Sequence, residues 1–280
     1  MAELRSAGER QTDLEISPIA QKAVPSAVRT KALAAILHAG EIARHHFASD
    51  LESWEKSPGQ TVTKADLEID DYLRRTLPQS GDGWLSEETA DSPDRLDKDR
   101  VWIVDPIDGT RSFAYGNPEF AISIALTERG RAIGGWLLNP ISQELLEAYR
   151  GHGAYLGGTR VHVNAQTPLI DADVVVSSGE RRTTNLASVL APAEVRPLGS
   201  LAYKLMHVAT GKADAYVTFR KISDWDLAAG ILAVSEAGGR VTDCQGEPHI
   251  LNKAKPRHHG IVAASNDLHA ELVEKTQSSA

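Results

Sequence analysis

The stretch Val101-Trp-Ile-Val-Asp-Pro-Ile-Asp-Gly-Thr110 constrains this chain more than any other. Val101 to Val104 is an unbroken apolar run, the pattern of a short buried strand. Pro106 has no backbone N–H to give a ladder, so the strand is expected to stop at Asp105-Pro106. Asp105 and Asp108 then follow, with Gly109 and Thr110 behind them. A buried strand that ends in acids at a glycine turn sets hard oxygen donors at the rim of a sheet, where open α/β sheets bind ligands. Crowded carboxylates either take up protons or gather cations, and oxygen-only donors suit Mg²⁺, Mn²⁺ or Ca²⁺. Gly109 lets the backbone approach an anion closely, and free N–H groups at a turn attract phosphate. From these residues alone two readings stand: a metal-plus-phosphate site, and an acidic turn that closes a strand.

Three other stretches bear on that choice. Leu85-Ser-Glu-Glu88 places two adjacent acids after a short apolar run. Trp225-Asp-Leu-Ala-Ala-Gly230 places Asp226 where an N-cap or first-turn acid belongs, ahead of the apolar Ile231 to Val234. Thr61-Val-Thr-Lys-Ala-Asp66 spaces Thr63 and Asp66 as a capping box for a helix to about Leu77. Taken singly, these are a surface pair, a cap and a helix-start acid.

The remaining chain reads as a soluble α/β protein. A helix is expected over residues 26–47 after Pro25, and a turn at 55–59. Strands are expected at 120–126, 132–138, 144–149 and 153–156, a consecutive set that suits an antiparallel sheet. The texture changes near Val163-Asn-Ala-Gln-Thr-Pro168, and strands alternate with helices beyond it. Strands are expected at 173–177, 213–219 and 260–264, with helices at 183–190, 200–210, from 226 and from 267. The expected division is a mobile tail at 1–17, an α+β half at 18–165 and an α/β half at 166–280. The site should then lie in the cleft between the halves. The net charge of −8 argues against a general nucleic-acid or membrane surface. The single cysteine, Cys244, allows no intrachain disulfide, and no run reaches transmembrane length; a cytoplasmic protein is expected.

Together, Ser86-Glu-Glu88, Trp102-Ile-Val-Asp-Pro-Ile-Asp-Gly-Thr110 and Trp225-Asp-Leu-Ala-Ala-Gly230 resemble the inositol monophosphatase superfamily, over roughly residues 28 to 275. These are Mg²⁺-dependent, often lithium-sensitive phosphatases of small metabolites. The resemblance implies a layered αβαβα sandwich of the inositol monophosphatase and fructose-1,6-bisphosphatase type, and a homodimer. It implies two or three Mg²⁺ per site, with Mn²⁺ an alternative and Ca²⁺ or Li⁺ inhibitory. Glu87, Asp105 and the Ile107 carbonyl would hold the first metal, and Asp105, Asp108 and Asp226 the second. Asp66 and Thr110 would activate water, with Glu87 also in the catalytic set. The backbone of Gly109 and Thr110 would bind phosphate. Gly199, Ser200, Leu201 and Ala202 match a stretch that contacts the substrate beyond the phosphate.

Within the superfamily, Ser86-Glu-Glu, Arg95-Leu, Asp99-Arg-Val-Trp and Gly199-Ser-Leu-Ala-Tyr-Lys204 look most like the bacterial 3′(2′),5′-bisphosphate nucleotidases. Inositol phosphatases tend to carry a Glu ahead of the Trp-Asp motif, where it bonds sugar hydroxyls. Here that region is Thr218-Phe-Arg-Lys-Ile-Ser-Asp-Trp225, with Asp224 the only acid and with two cations, Arg220 and Lys221. Either cation could hold a second phosphate. The expected substrate is therefore 3′-phosphoadenosine 5′-phosphate. The alternatives are inositol 1-phosphate or another sugar or polyol phosphate, and, from another class, a regulatory partner in transcription with vestigial catalysis.

Overall fold

The computed structural model describes residues 24–47, 53–57, 60–165, 168–181 and 184–279. The expected tail at 1–17 lies outside them. Helix α1 (Ser26–Phe47), the hairpin β1 (Ser53–Ser57) and β2 (Gln60–Thr63), and α2 (Lys64–Thr76) come first. A seven-stranded sheet follows in chain order: β3 (Gly83–Ser86), β4 (Arg100–Asp108), β5 (Ala121–Glu128), β6 (Arg131–Asn139), β7 (Glu144–Tyr149), β8 (Gly153–Leu156) and β9 (Thr159–Val161). Only β3 and β4 run parallel in it; each later neighbour is antiparallel. Helix α3 (Thr110–Ala114) sits between β4 and β5.

The second sheet is built from β10 (Asp173–Val176), β11 (Glu194–Pro197), β12 (Ala215–Ser223), β13 (Arg240–Thr242) and β14 (Arg257–Ala264). Its spatial order is β11-β10-β12-β14-β13. Four helices belong to this part of the chain: α4 (Thr184–Leu190), α5 (Leu201–Ala209), α6 (Asp224–Glu236) and α7 (Asn266–Ser278). Among the described residues no helix is long and apolar enough to cross a membrane.

The layers follow from strands that are apolar on both faces. In β4, Trp102 and Val104 face a core with Ile36, Ala39, Ile69 and Leu73 of α1 and α2. Val101 and Ile103 face the opposite core, which holds Leu205 and Leu227 of α5 and α6. In β12, Tyr216 joins that same middle core, while Ala215 and Val217 meet Leu186 and Leu272 of α4 and α7. The order is therefore helices, sheet, helices, sheet, helices, the expected αβαβα sandwich. Each fully buried Leu or Ile stabilises it by roughly 1.5–3 kcal/mol. In the middle layer α5 and α6 cross so closely that a Cβ on Gly230 would overlap the Leu205 side chain.

Several expected boundaries move. β4 does not stop at Pro106 but continues to Asp108. Asp105 pairs with Ser123 and Asp108 with Ala121, so β4 holds one extra residue there. Pro106 lies in this bulge, where no ladder bond is required of it. A second bulge, between the pairs Thr218–Ile261 and Lys221–His259, carries β12 on to Ser223. Arg220 and Lys221 thus stand on a strand, not in a loop. Residues 53–57 form β1 where a turn was expected to begin, and α6 starts at Asp224, ahead of Asp226.

Candidate active site

Two helix starts, one bulge and one loop supply the acids. At the start of α2, the Thr63 N–H donates to Asp66 Oδ2 over 2.8 Å, and the Asp66 N–H donates back to Thr63 Oγ1 over 3.4 Å. The expected capping box is present, a device that stabilises a helix by about 1 kcal/mol. α6 uses the same arrangement: the Ser223 N–H donates to Asp226 Oδ2 over 2.7 Å, so Asp226 is a first-turn acid and Ser223 the cap. In each case the cap fixes one carboxylate oxygen and orients the other. Asp66 Oδ1 accepts a bond from Thr110 Oγ1 at 3.2 Å, and Thr110 Oγ1 also reaches the Ile107 carbonyl at 3.0 Å.

The β4 bulge presents Asp105 and Asp108. Asp105 Oδ1 accepts from the Ile107 N–H at 3.1 Å, while its Oδ2 is buried with no hydrogen-bond partner. Leaving a buried charged acceptor unpaired costs upwards of about 1–3 kcal/mol. Asp108 Oδ2 accepts from the Ala202 N–H at 2.5 Å and from the Ser200 hydroxyl. Ser200 caps α5 with φ +57°, in the left-handed region. Gly109 also needs that region, at φ +94°, and a Cβ there would come within 3.1 Å of Ser200 Cβ.

Glu87 arrives on the loop after β3. Its N–H donates to the Val104 carbonyl at 3.3 Å. The residues around it are tied to α2: Ser86 Oγ donates to Asp70 Oδ1 at 2.5 Å, and Thr89 Oγ1 donates to Asp70 Oδ2. Asp70 was not anticipated as part of the site. Its signal is the four-residue spacing from Asp66, which puts both on one helical face.

Carboxylate oxygens of Glu87, Asp105 and Asp226 come within 4.8 Å of one another. Burial, then the charges of Glu87, Asp108 and Asp226, hold the Asp105 carboxyl well above the ordinary carboxylate range. Burial and then the Asp108 charge do the same to Asp226. Burial raises Asp108 as well, opposed by its bonds from Ser200 and Ala202 and by the Lys204 charge. Asp66 is pushed up to about 7, chiefly by burial. Such mutual repulsion, the unpartnered Asp105 Oδ2 and an all-oxygen donor set fit a hard divalent cation.

Other expected residues divide. Asp108 adjoins the trio of acids, with Oδ2 held by α5. Behind it, Lys204 Nζ donates to the Ser200 and Leu198 carbonyls at 2.6 and 3.0 Å, and burial lowers its pKa to about 8. The Gly199 N–H is engaged by Glu119 Oε2 at 2.7 Å. Ala202 touches Asp108 through its backbone, and Leu201 begins α5. Arg220 and Lys221 are exposed on the β12 bulge. Thr218 Oγ1, at the bulge, donates to Glu180 at 2.7 Å. Asp224 is fully buried; its Oδ1 meets His258 Nε2 at 2.7 Å and its Oδ2 accepts from the Asn252 N–H at 2.6 Å. Both its carboxylate oxygens are therefore engaged within the fold.

The sequence matches the inositol monophosphatase family model over residues 25–280. The chain belongs to the inositol monophosphatase family. An inositol-1-monophosphatase of Mesorhizobium japonicum is 36% identical over 76% of this chain and 81% of that protein. Among solved structures, the extragenic suppressor protein suhB of Bartonella henselae superposes with a TM-score of 0.80 at 31% identity, over 90% of this chain and 99% of that one. A structure of SaIMPase-II bound to 2′AMP gives a TM-score of 0.77 at 25% identity, over 89% and 93%. Family members are metal-dependent phosphatases, generally with Mg²⁺, and that activity class is this chain's.

Proposed function

We propose that the chain hydrolyses a phosphate monoester of a small metabolite, with 3′-phosphoadenosine 5′-phosphate the favoured substrate. The observation that carries the catalytic part is the buried, partnerless Asp105 Oδ2 amid Glu87, Asp108 and Asp226. Glu87, Asp105 and the Ile107 carbonyl would hold one Mg²⁺, and Asp105, Asp108 and Asp226 another. Bound there, Mg²⁺ neutralises phosphate charge and lowers the pKa of water. Asp66 and Thr110 orient the attacking water, and Asp66 takes its proton. A carboxyl at about 7 is matched to that task at neutral pH. The Gly109 and Thr110 N–H groups face the phosphate in this reading, and Ser200, Leu201 and Ala202 border the leaving group. Gly199 acts there through its shape, since its N–H is engaged.

Arg220 and Lys221 support the bisphosphate reading. They are exposed cations on the strand that leads into Asp226, and neither forms an ion pair among the described residues. The 2′AMP complex of SaIMPase-II lends support, since a nucleotide occupies that relative. An inositol phosphate substrate is favoured by the name of the Mesorhizobium relative. The deciding experiment measures phosphate release with Mg²⁺ from 3′-phosphoadenosine 5′-phosphate and inositol 1-phosphate, with Asp105→Asn as blank. The nucleotide should be preferred, and Arg220→Ala or Lys221→Ala should reduce that preference. Preference for inositol phosphate would reject the bisphosphate reading. Substantial turnover by folded Asp105→Asn would reject the metal assignment.

A further inference from the structure

At the end of α6 opposite Asp226 lies a cavity of about 420 Å³, lined among others by Arg131, Arg150, Ile231, Ser235, His249 and Leu251. Ser235 is nine residues beyond Asp226, roughly 13 Å along the helix axis. None of the residues assigned above to metal or phosphate lines it.

Its lining is net cationic, with two arginines against one carboxylate and a histidine that is neutral at pH 7. Arg131, at the start of β6, is exposed and has no ion-pair partner among the described residues. Arg150 donates from Nη2 to the Ala132 carbonyl and forms no ion pair among them either. Burial, then the Arg131 charge, destabilises the Arg150 cation, with Glu236 and Glu128 opposing. Glu236 is the carboxylate in the lining, but its two oxygens accept from the Gly151 and Gly153 N–H groups at 2.7 and 2.8 Å. Two like charges beside one partly buried space invite an anion.

The rest of the lining narrows the ligand. Ile231, Leu232, Ile250 and Leu251 give an apolar wall. His249 bonds the Thr242 backbone through its ring, while its Nε2 is buried without a partner. Burial, then the His258 charge, lowers the His249 pKa to about 4, so at neutral pH the ring adds no positive charge to the lining. We propose that this cavity is a second ligand site, taking a small organic anion: a phosphate or carboxylate head on the arginines and a compact apolar body on the wall.

Calorimetry on the full chain, stripped of metal and then dialysed free of chelator, tests this, because without metal the acidic centre repels anions. Phenylphosphonate and phenylacetate serve as probes, and inorganic phosphate as a head without a body. Saturable one-to-one binding of at least one organic probe is expected, tighter than that of inorganic phosphate. Arg131→Gln should weaken it at least tenfold, Arg131→Lys much less, and Asp105→Asn should leave it unchanged. The two probes separate a phosphate-type head from a carboxylate. The proposal is overturned if neither probe saturates, if binding requires Mg²⁺, or if it survives both Arg131→Gln and Arg150→Gln. Arg131 is exposed, so its substitution reads the site even where Arg150→Gln fails to fold.

Discussion

Thr110 Oγ1 donates to Asp66 Oδ1 over 3.2 Å, although the two residues are 44 positions apart. Thr63 holds the other Asp66 oxygen, so the carboxylate cannot rotate away from the bulge. Replacing Thr110 by Ala should lower kcat by about 10²–10⁴-fold, the range of a lost acid–base element. Thr110→Ser should retain most turnover. Steady-state kinetics of the two variants, with Tm as a check on folding, decides it; equal losses in both would refute a role for the hydroxyl.

The acidic centre should make metal-free protein sensitive to alkali. Raised carboxyl pKa values mean that the folded state holds protons that the unfolded state has lost. Stability therefore falls as pH rises from the ordinary carboxylate range through the raised values, to about 7 for Asp66. Mg²⁺ offsets the repulsion between ionised acids, so it should raise Tm by several degrees more at pH 8 than at pH 5.5. Asp105→Asn should raise the metal-free Tm at pH 8 and abolish the Mg²⁺-dependent rise. Calorimetric scans in EDTA and in Mg²⁺ read both; a Mg²⁺ effect preserved in Asp105→Asn would contradict the assignment.

Asp70 ties down the residues on either side of Glu87, at Ser86 and Thr89. Loss of such an outer support typically costs 10–100-fold in metal affinity. Asp70→Ala should raise the Mg²⁺ concentration needed for half-maximal rate by that factor. At saturating Mg²⁺, kcat should recover most of its value. A fall in kcat with an unchanged Mg²⁺ requirement would show that Asp70 does not act through Glu87.

His269 predicts acid sensitivity elsewhere. It is buried at 2% exposure, its Nε2 meets Thr242 Oγ1 at 2.9 Å and its Nδ1 has no partner. Burial and then the Arg240 charge lower its pKa to about 4. A histidine with a depressed folded pKa stabilises fully above about 6.5, and that stability is lost as pH falls towards 4. In urea titrations, His269→Leu should lose less stability between pH 7 and 4.5 than the unaltered protein.

The sequence alone determined the acids, the capping box at Thr63 and Asp66 and the buried strand that leads to Asp105. These are local: a cap needs three residues, and a strand apolar on both faces must lie between two layers. Val101 to Val104 therefore marked a buried strand, while the layered sandwich was implied only by the family resemblance. The motifs together also marked the family, though no single one did.

Only the tertiary structure decided where strands bend and which groups remain free. Pro106 reads as a strand end because a ladder cannot use it; pairing with β5 turns it into a bulge that carries the buried Asp105 and Asp108. Asp224 reads as a spare acid, yet Asn252 and His258 claim both its oxygens. Asp70 reads as an ordinary helix acid until β3 brings Ser86 beside it. Long-range pairing decides each of these cases, because a carboxylate's role depends on the donors that folding brings to it, and those lie far away in the chain.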